Sequence, residues 1–146
     1  MSREQEVAWA TAGVALPPGI AIRAWTDADF PAIQALSTAQ GWTTPTARPE
    51  ASCASWQHAW PALVAVAGDE VVGFVRAITD GFVSMYIAEL LVAPAWRGKG
   101  IGAALLEVCH RLYPETRLDL LCTDGADAFY VREGFRPFPG YRKRYG

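Results

Sequence analysis

The sequence has few cysteines. Cys53, Cys109 and Cys122 are odd in number and far apart, and no two form a Cys-x-x-Cys pair. This usage predicts neither a disulfide framework nor a zinc site. None of the three lies in a recognisable nucleophile setting, so no covalent enzyme intermediate is expected. We therefore expect a reducing, cytoplasmic environment and no bound metal.

A large excess of charge of either sign is also missing. The 13 lysines and arginines are nearly balanced by 15 aspartates and glutamates, which gives a net charge of -2 at pH 7. Domains that bind nucleic acids usually present a basic surface, so this balance argues against a nucleic-acid partner. The short basic stretch "YRKRYG" at the C-terminus is typical of a solvated strand end.

Long apolar runs are absent as well. None approaches the roughly 20 residues that a membrane-spanning helix needs. The N-terminal stretch superficially resembles a signal sequence, but Glu4 and Glu6 outnumber Arg3 there and Pro17 interrupts the apolar part. We expect a protein that is not exported and has no membrane partner.

The chain contains no internal repeat, low-complexity segment or Gly/Ser-rich linker that would divide it. Its 146 residues, 51% of them apolar, are near the commonest size for one domain with one core. We predict a single domain over residues 1–146. Within it, residues 1–19 are expected to be a loosely ordered or additional N-terminal segment.

The first half of the chain predicts two helices and a hairpin. "IAIRAW" is typical of a strand, and the following helix carries Phe30, Ile33 and Leu36 on one face. "GWTTPTARP" predicts a loop, and a weaker helix is expected over residues 50–60. "ALVAVAG" and "VVGFVRAI" predict a hairpin, because a turn-like Gly-Asp-Glu separates them.

The second half predicts alternating strands and helices. "FVSMYIAELLV" is expected to be a long strand that ends at Pro94, because proline cannot donate to the ladder. A helix over about residues 98–112, a buried strand "RLDLLCT", a short helix "ADAFYVRE" and a last extended segment "GFRPFPGYRKRY" follow. This order indicates a mixed sheet with helices on both sides.

The stretch "RGKGIG", residues 97–102, places three alternating glycines and two cations between a strand and a helix. The first amides of a helix have no internal partner and carry the positive end of its dipole. Glycines leave these amides uncovered, so a diphosphate can bind them directly, with Arg97 and Lys99 adding charge. A merely tight connection between strand and helix is the alternative for this stretch alone.

Two other phosphate motifs fit less well. A Walker A loop needs Ser or Thr after its lysine, but Lys99 is followed by Gly100. A dinucleotide fingerprint would use Gly98, Gly100 and Ala103 with Asp119 as the acidic residue. Asp119, however, falls inside its predicted strand, and the chain beyond it is too short to complete a nucleotide-binding fold.

At this point the sequence resembles a known family. "ELLVAPAWRGKGIGAALLE" resembles the acyl-CoA signature of the GNAT superfamily of N-acyltransferases, with Arg97, Gly100 and Gly102 in its defining positions. "ADAFYVREGFRP" is similar to the second signature of that family. The residues in its aromatic pair and its Gly-Phe step are Phe129, Tyr130, Gly134 and Phe135. Two signatures in the right order are more specific than either one alone.

The resemblance implies a single α/β domain of the α+β type. Its expected sheet is mixed, mostly antiparallel, of six to seven strands flanked by about four helices, with the fourth and fifth strands splayed. It implies transfer of an acetyl group from acetyl-CoA, as co-substrate, to a primary amine of a small-molecule acceptor in a ternary complex. A non-catalytic acyl-CoA sensor, or acetylation of a protein amine, stays open. Relatives are often dimers, so a homodimer is open too.

The resemblance also implies which residues bind the co-substrate. They are Leu91, Val92, Arg97, Gly98, Lys99, Gly100, Ile101, Gly102 and Ala103. Leu91 and Val92 lie where the fourth strand of the family bulges and frees backbone groups for the pantetheine and the acyl carbonyl. Many relatives have an asparagine before the second signature, where this chain has Thr123 and Asp124.

Two residues are candidates for proton transfer. An alkylammonium must lose a proton before it attacks a thioester. Glu89, a lone carboxylate in an apolar strand, is the candidate base or ammonium anchor, and a structural ion pair is the alternative. Tyr130 lies where the resemblance places the acid that protonates the leaving thiolate. Packing beside Phe129 is its alternative role.

The acceptor would be chosen by residues 38–61, which carry no signature. Trp42, Trp56 and His58 are the candidate acceptor-binding residues in this region. Aromatic residues at near-helical spacing are more often part of a core, and a lone histidine is more often at the surface. Both alternatives stay open for these three residues.

Overall fold

The computed structural model describes residues 1–123 and 125–145. The strands in this part of the chain are β1 (Ile20–Ala24), β2 (Ala62–Ala67), β3 (Glu70–Thr79), β4 (Ser84–Val92) and β5 (Arg117–Leu120). The α-helices there are α1 (Arg3–Thr11), α2 (Phe30–Ala39), α3 (Thr44–Ala47), α4 (Pro49–Gln57), α5 (Ile101–Leu112) and α6 (Asp127–Arg132).

The five strands form one sheet in the order of the chain, β1-β2-β3-β4-β5. The pairs β1–β2, β2–β3 and β3–β4 are antiparallel, and the pair β4–β5 is parallel. The α5 crossover makes this parallel pair possible, since parallel neighbours cannot be joined by a tight turn. The prediction of a mixed, mostly antiparallel sheet is confirmed.

The predicted count of six to seven strands is wrong, because residues 135–145 contain no strand. Pro137 and Pro139 interrupt this segment, and proline has no N–H to give to a ladder. The strand β5 is therefore an edge strand, and its Arg117 and Asp119 are exposed. The prediction of a buried strand at "RLDLLCT" is corrected accordingly.

The number of helices also differs from the expected four or so. Six α-helices are present in the described residues, because α3 lies within the predicted loop "GWTTPTARP" and α1 lies within residues 1–19. Ser2 and Gln5 form a capping box at the start of α1. Val7 and Ala10 of α1 are buried against β1 and α5. No helix in the described part of the chain has the length and apolarity needed to cross a bilayer.

The sheet carries a hydrophobic core on each face. The core on the α1 and α5 face includes Ile22, Leu63, Val75, Met85 and Leu105. The core on the α2 and α4 face includes Ile33, Trp56, Val64, Phe74 and Leu91. Fully burying one such side chain contributes about 1.5–3 kcal/mol, so these two layers dominate the stability of the sheet.

The start of α2 is fixed by a buried aspartate. Asp29 accepts two hydrogen bonds of 2.8 Å from the guanidinium of Arg23 and one of 2.8 Å from the N–H of Thr26. Burial by itself would raise the pKa of Asp29. The hydrogen bonds from Arg23 and Thr26 together outweigh it, so the pKa lies below its usual 3.8.

A bulge in β4 decides which way its side chains point. Arg76 pairs with Glu89 but Ala77 pairs with Ile87, so Ala88 is an extra residue on β4. Before the bulge, Met85 and Ile87 face the α5 side. After it, Leu91 faces the α2 and α4 side, and so does Glu89, two residues earlier.

Candidate functional site

The N-terminus of α5 presents a row of unused amides. In the described residues, the N–H groups of 98–103 donate no hydrogen bond, and the first bonded amide is Ala104, which donates to the carbonyl of Gly100 at 3.0 Å. Gly98 and Gly100 have φ of 75° and 87°, a region that residues with a side chain adopt only with strain. Six free donors at the positive end of a helix make an anion-binding site.

Gly102 allows α5 to lie close to α6 and β4. A Cβ at this position would be 3.3 Å from the Cζ of Phe129 and 3.7 Å from the Cγ2 of Val92. A larger residue would therefore push the Phe129 ring out of place. The ring of Phe129 packs edge-on against that of Tyr130, with 5.0 Å between the centroids.

The side chain of Arg97 ties the loop to two other elements. Its Nε donates to the carbonyl of Val92 at 3.0 Å, and its Nη2 donates to the amide oxygen of Gln40 at the end of α2. Arg97 thus anchors the loop, while the neighbouring Lys99 is exposed. The sequence predicted charge at this position but not these two contacts.

The strand β4 continues beyond its pairing with β5, toward the loop that carries the free amides. The two strands pair only from Ser84 to Ile87 on β4 and from Arg117 to Leu120 on β5. Beyond Ile87, the remaining residues of β4 have no partner on β5. Leu91 and Val92 therefore lie in the part of β4 that has no partner on β5, and the splay of the two strands stays a prediction.

Tyr130 lies in α6, half-buried between two aromatic rings. Its ring is 5.0 Å from that of Phe129 and 5.5 Å from that of Phe135, both in edge-on geometry. Burial, together with the nearby Cys122, raises the pKa of the Tyr130 phenol above its usual 10.0. The phenol therefore keeps its proton at neutral pH, which an acid must do before it can donate.

Glu89 has a partner that the sequence did not reveal. The Nε of Arg76, directly opposite on β3, donates to its Oε2 at 3.3 Å. The two side chains are only 16% and 17% exposed, so each compensates the charge of the other away from bulk water. The pairing depends on the bulge at Ala88, which no local sequence pattern indicates.

The three predicted acceptor-binding residues occupy different environments. Trp56 is fully buried, with its ring 5.4 Å from that of Trp25 and 5.5 Å from that of Phe74. Trp42 is half-buried, 6.4 Å from the same Phe74 ring. His58 is exposed at the end of α4, where its Nδ1 lies 2.9 Å from the carbonyl of Ala54. Phe74 thus brings the two tryptophans together, and His58 lies apart.

The remaining candidate groups lie outside this arrangement. Cys109 is fully buried in α5, and burial raises the pKa of its thiol. Thr123 is exposed, while Asp124, the other residue at the departure from the family pattern, lies outside the described residues. Within 1–123 and 125–145, no three of the His, Cys, Asp and Glu side chains cluster as metal ligands would.

The free helix amides follow the end of β4 that has no partner on β5, and the half-buried Tyr130 lies in α6. A family model described as the acetyltransferase (GNAT) domain matches residues 57–137, more than half of the chain. The chain belongs to this GNAT acetyltransferase family, which uses acetyl-CoA. The match includes β2 to β5, α5 and α6, and hence both signatures.

Solved structures agree with this assignment. A candidate acetyltransferase from Deinococcus radiodurans is 29% identical over 87% of this chain and 89% of that one, with a TM-score of 0.71. A GNAT family acetyltransferase from Streptococcus pneumoniae is 25% identical over 86% and 98%, with a TM-score of 0.70. An Arabidopsis thaliana protein in complex with the bisubstrate analogue CoA-Ac-MVNAL shares the fold, at 21% identity over 83% and 85% and a TM-score of 0.66. No curated protein matches the chain.

Proposed function

We propose that the protein transfers an acetyl group from acetyl-CoA to the primary amine of a small-molecule acceptor, by direct attack in a ternary complex. The observation that carries this proposal is the run of six unbonded amides, 98–103, which follows the end of β4 that has no partner on β5. A diphosphate needs such donors, and a pantetheine arm needs a strand edge that is not already paired.

The residues of the chain fit the co-substrate in three places. The amides of residues 98–103 bind the diphosphate, with Lys99 as the nearby exposed cation. Gly102 keeps the approach free of side chains. The carbonyl of Val92 accepts from Arg97, so the pantetheine arm and the acyl oxygen would use the other backbone groups of the unpaired edge of β4 near Leu91 and Val92.

Glu89 and Tyr130 would handle the two protons of the reaction. The acceptor ammonium gives a proton to Glu89, directly or through water, and the free amine forms the new C–N bond as the C–S bond breaks. Tyr130 donates its phenolic proton to the leaving sulfur, and the second proton that the nitrogen loses as the amide forms passes through water to the Tyr130 oxygen. The raised pKa of Tyr130 supports this role, because the phenol stays protonated until it is used.

The surroundings of Glu89 support a slender acceptor. The carboxylate is 17% exposed, so a thin amine reaches it more readily than a folded protein surface does. Trp42 and Phe74 border the same face of the sheet with aromatic rings. A cytoplasmic location and a homodimer stay predictions, supported respectively by the cysteine usage and the family resemblance.

The test is a thiol-release assay with purified protein, acetyl-CoA and a panel of amino acids, polyamines, aminoglycosides and peptides with free N-termini. We expect saturable thiol release with at least one small amine and production of its N-acetyl derivative by mass spectrometry. Calorimetric binding of acetyl-CoA without turnover of any amine would indicate a sensor instead. Turnover restricted to peptides would indicate a protein amine as acceptor.

A further inference from the structure

Arg76 makes only part of the contacts that a guanidinium can make. The group has five N–H donors in a planar fork, of which only Nε is engaged, with Glu89 at 3.3 Å. Among the described residues, its two Nη groups donate no hydrogen bond. Neither Nη is sealed from solvent, since the only fully buried unpartnered side-chain atoms there belong to Ser37 and Trp56. The Nη donors are therefore available to a ligand.

A second ion pair in the same chain shows what a fully formed structural pair looks like here. Arg23 contacts Asp29 through both Nη groups at 2.8 Å, in the two-pronged geometry that arginine and carboxylate prefer. Arg76 instead contacts Glu89 through one nitrogen, at a longer distance. A pair that served stability alone would gain from the two-pronged geometry. This one leaves its strongest donors unused.

The position of the pair points to the acceptor and not to the co-substrate. Glu89 and Leu91 follow the bulge in β4 and face the α2 and α4 side, whereas α5 lies on the opposite face of the sheet. Beside the pair on the same face, Ile78 and Tyr86 lie opposite each other on β3 and β4, 51% and 37% exposed. An open apolar platform thus borders two opposite charges in contact.

We propose that the acceptor is a free amino acid with an apolar side chain, whose carboxylate binds the Nη groups of Arg76 while its ammonium meets Glu89. This inference rests on the proposed transfer reaction and names its substrate class. The ammonium and carboxylate groups of an α-amino acid are attached to the same carbon. Their short separation suits Arg76 and Glu89, whose charged groups are in contact. Each protein charge would gain an opposite partner, which offsets the cost of removing it from water. Arg76 is then a specificity-determining residue.

The test compares L-leucine with L-leucinamide, which has the same amine and side chain but no carboxylate. Wild-type protein should show a kcat/KM for leucine at least tenfold above that for leucinamide, through a lower KM. In Arg76→Gln this preference should be lost, since a hydrogen bond between charged groups is worth roughly 10- to 100-fold in binding. Arg117→Gln, which changes an exposed arginine of β5, is the matched control and should keep the preference.

Other outcomes decide against the proposal. Equal kcat/KM for leucine and leucinamide in the wild type, or an undiminished preference in Arg76→Gln, would overturn it. Melting temperature and acetyl-CoA affinity show whether Arg76→Gln folds. If it does not, Arg76→Lys decides: this variant keeps the charge but loses the fork, so a reduced preference supports the proposal and an unchanged one overturns it.

A separate measurement distinguishes failure of the inference from failure of the transfer reaction. If no amine is turned over, leucine and leucinamide are titrated calorimetrically into protein saturated with CoA. Binding of leucine but not leucinamide, lost in the double variant Arg76→Gln/Glu89→Gln, would support the amino-acid site without catalysis. Absence of leucine binding would overturn it. The double variant leaves neither charge unpaired, so its stability is a fair control for folding.

Discussion

The two candidate proton-transfer residues have very different surroundings. Tyr130 is held between the rings of Phe129 and Phe135, where little water reaches the phenol. Glu89 lies on the opposite face of the sheet from Tyr130. There it contacts Arg76, which lies opposite it on β3. The environment of Tyr130 favours the protonated phenol that the proposed chemistry needs, and Arg76 lies in hydrogen-bond contact with Glu89. Single substitutions at these positions test the chemistry, and because Glu89→Gln leaves Arg76 without its partner, the melting temperature is measured beside the activity.

Replacing Tyr130 with phenylalanine should lower kcat by about 100-fold, as loss of a general acid typically does. The KM for acetyl-CoA should stay within about twofold, because the ring contacts remain. Because the pKa of Tyr130 is raised above 10.0, its phenol stays protonated up to about pH 10. Loss of that proton should therefore not lower the wild-type rate below this pH. Thiol release measured from pH 6 to 10 checks both points. Tyr141→Phe, at a fully exposed tyrosine, is the control, and an equal loss there would contradict the assignment.

Replacing Glu89 with glutamine should reduce kcat/KM for the acceptor by about 100-fold at pH 7. The deficit should narrow as the pH rises toward the amine pKa of about 10.4, because solvent then deprotonates the acceptor. A pH series of thiol release measures this convergence. Glu107→Gln, at an exposed glutamate of α5, should follow the wild type. A deficit independent of pH would point to a purely structural pair.

At the scale of elements, the approach of α5 to α6 depends on a missing side chain. Gly102→Val places a methyl group where the ring of Phe129 now lies, at a cost of about 1–3 kcal/mol. We expect a lower melting temperature and acetyl-CoA affinity weakened by about tenfold or more, measured by calorimetry. Adding Phe129→Leu makes room and should recover part of the melting temperature. Unchanged affinity in Gly102→Val would contradict the placement of the diphosphate.

The entry to α2 should make the fold sensitive to acid. The pKa of Asp29 is lower in the folded protein than in the unfolded chain, so its stabilising effect is complete above the unfolded pKa of about 3.8 and is lost as the pH falls through the folded pKa. Asp29→Asn should reduce the free energy of unfolding by about 1–3 kcal/mol at pH 7. We expect a value in the lower part of this range, because the side chain of Arg23 is 43% exposed and solvent screens the pair. Urea unfolding at pH 7 and pH 3 should show the difference shrinking in acid. The exposed Asp119→Asn should show no such trend.

The elements that the sequence predicted well are those set by local pattern. The helical spacing of Phe30, Ile33 and Leu36 gave α2, and the apolar runs around Gly68 gave the hairpin β2–β3. The free amides were also predictable, since glycine conformation is local. Arg76 was not, because its partner depends on the register between β3 and β4 and on the bulge at Ala88.

Tertiary contacts explain the other differences from prediction. Nothing local in "MSREQEVAWAT" shows that Val7 and Ala10 will pack against β1 and α5, so α1 was expected to be loose or additional. The burial predicted for β5 required a further strand beyond it. The two prolines at 137 and 139 are the physical reason that this strand is missing.

At the scale of the whole molecule, the exposed basic residues include Lys99 in the loop before α5, and Arg142, Lys143 and Arg144 in the C-terminal segment. Limited trypsin digestion should cut at both places first. Acetyl-CoA at about 100 times its Kd should slow the cut at Lys99 by about 100-fold, since only the unbound form is cleaved there.

The C-terminal cuts serve as the internal control of the same digest. Their rate should not change with acetyl-CoA, because residues 142–144 are exposed and lie outside the proposed site. Mass spectrometry of the fragments over time measures both rates in one sample. Equal slowing at the two places would contradict binding at the loop.

The ring of Phe129 is a shared part of both ends of the proposed site. It lies against Gly102 in the first turn of α5 and packs edge-on against Tyr130. Ligand binding at the N-terminus of α5 and the position of the Tyr130 phenol should therefore affect each other through the side chain of Phe129. A ¹⁹F label on that ring would report, in one resonance, both the arrival of the nucleotide and the ionisation of its neighbour.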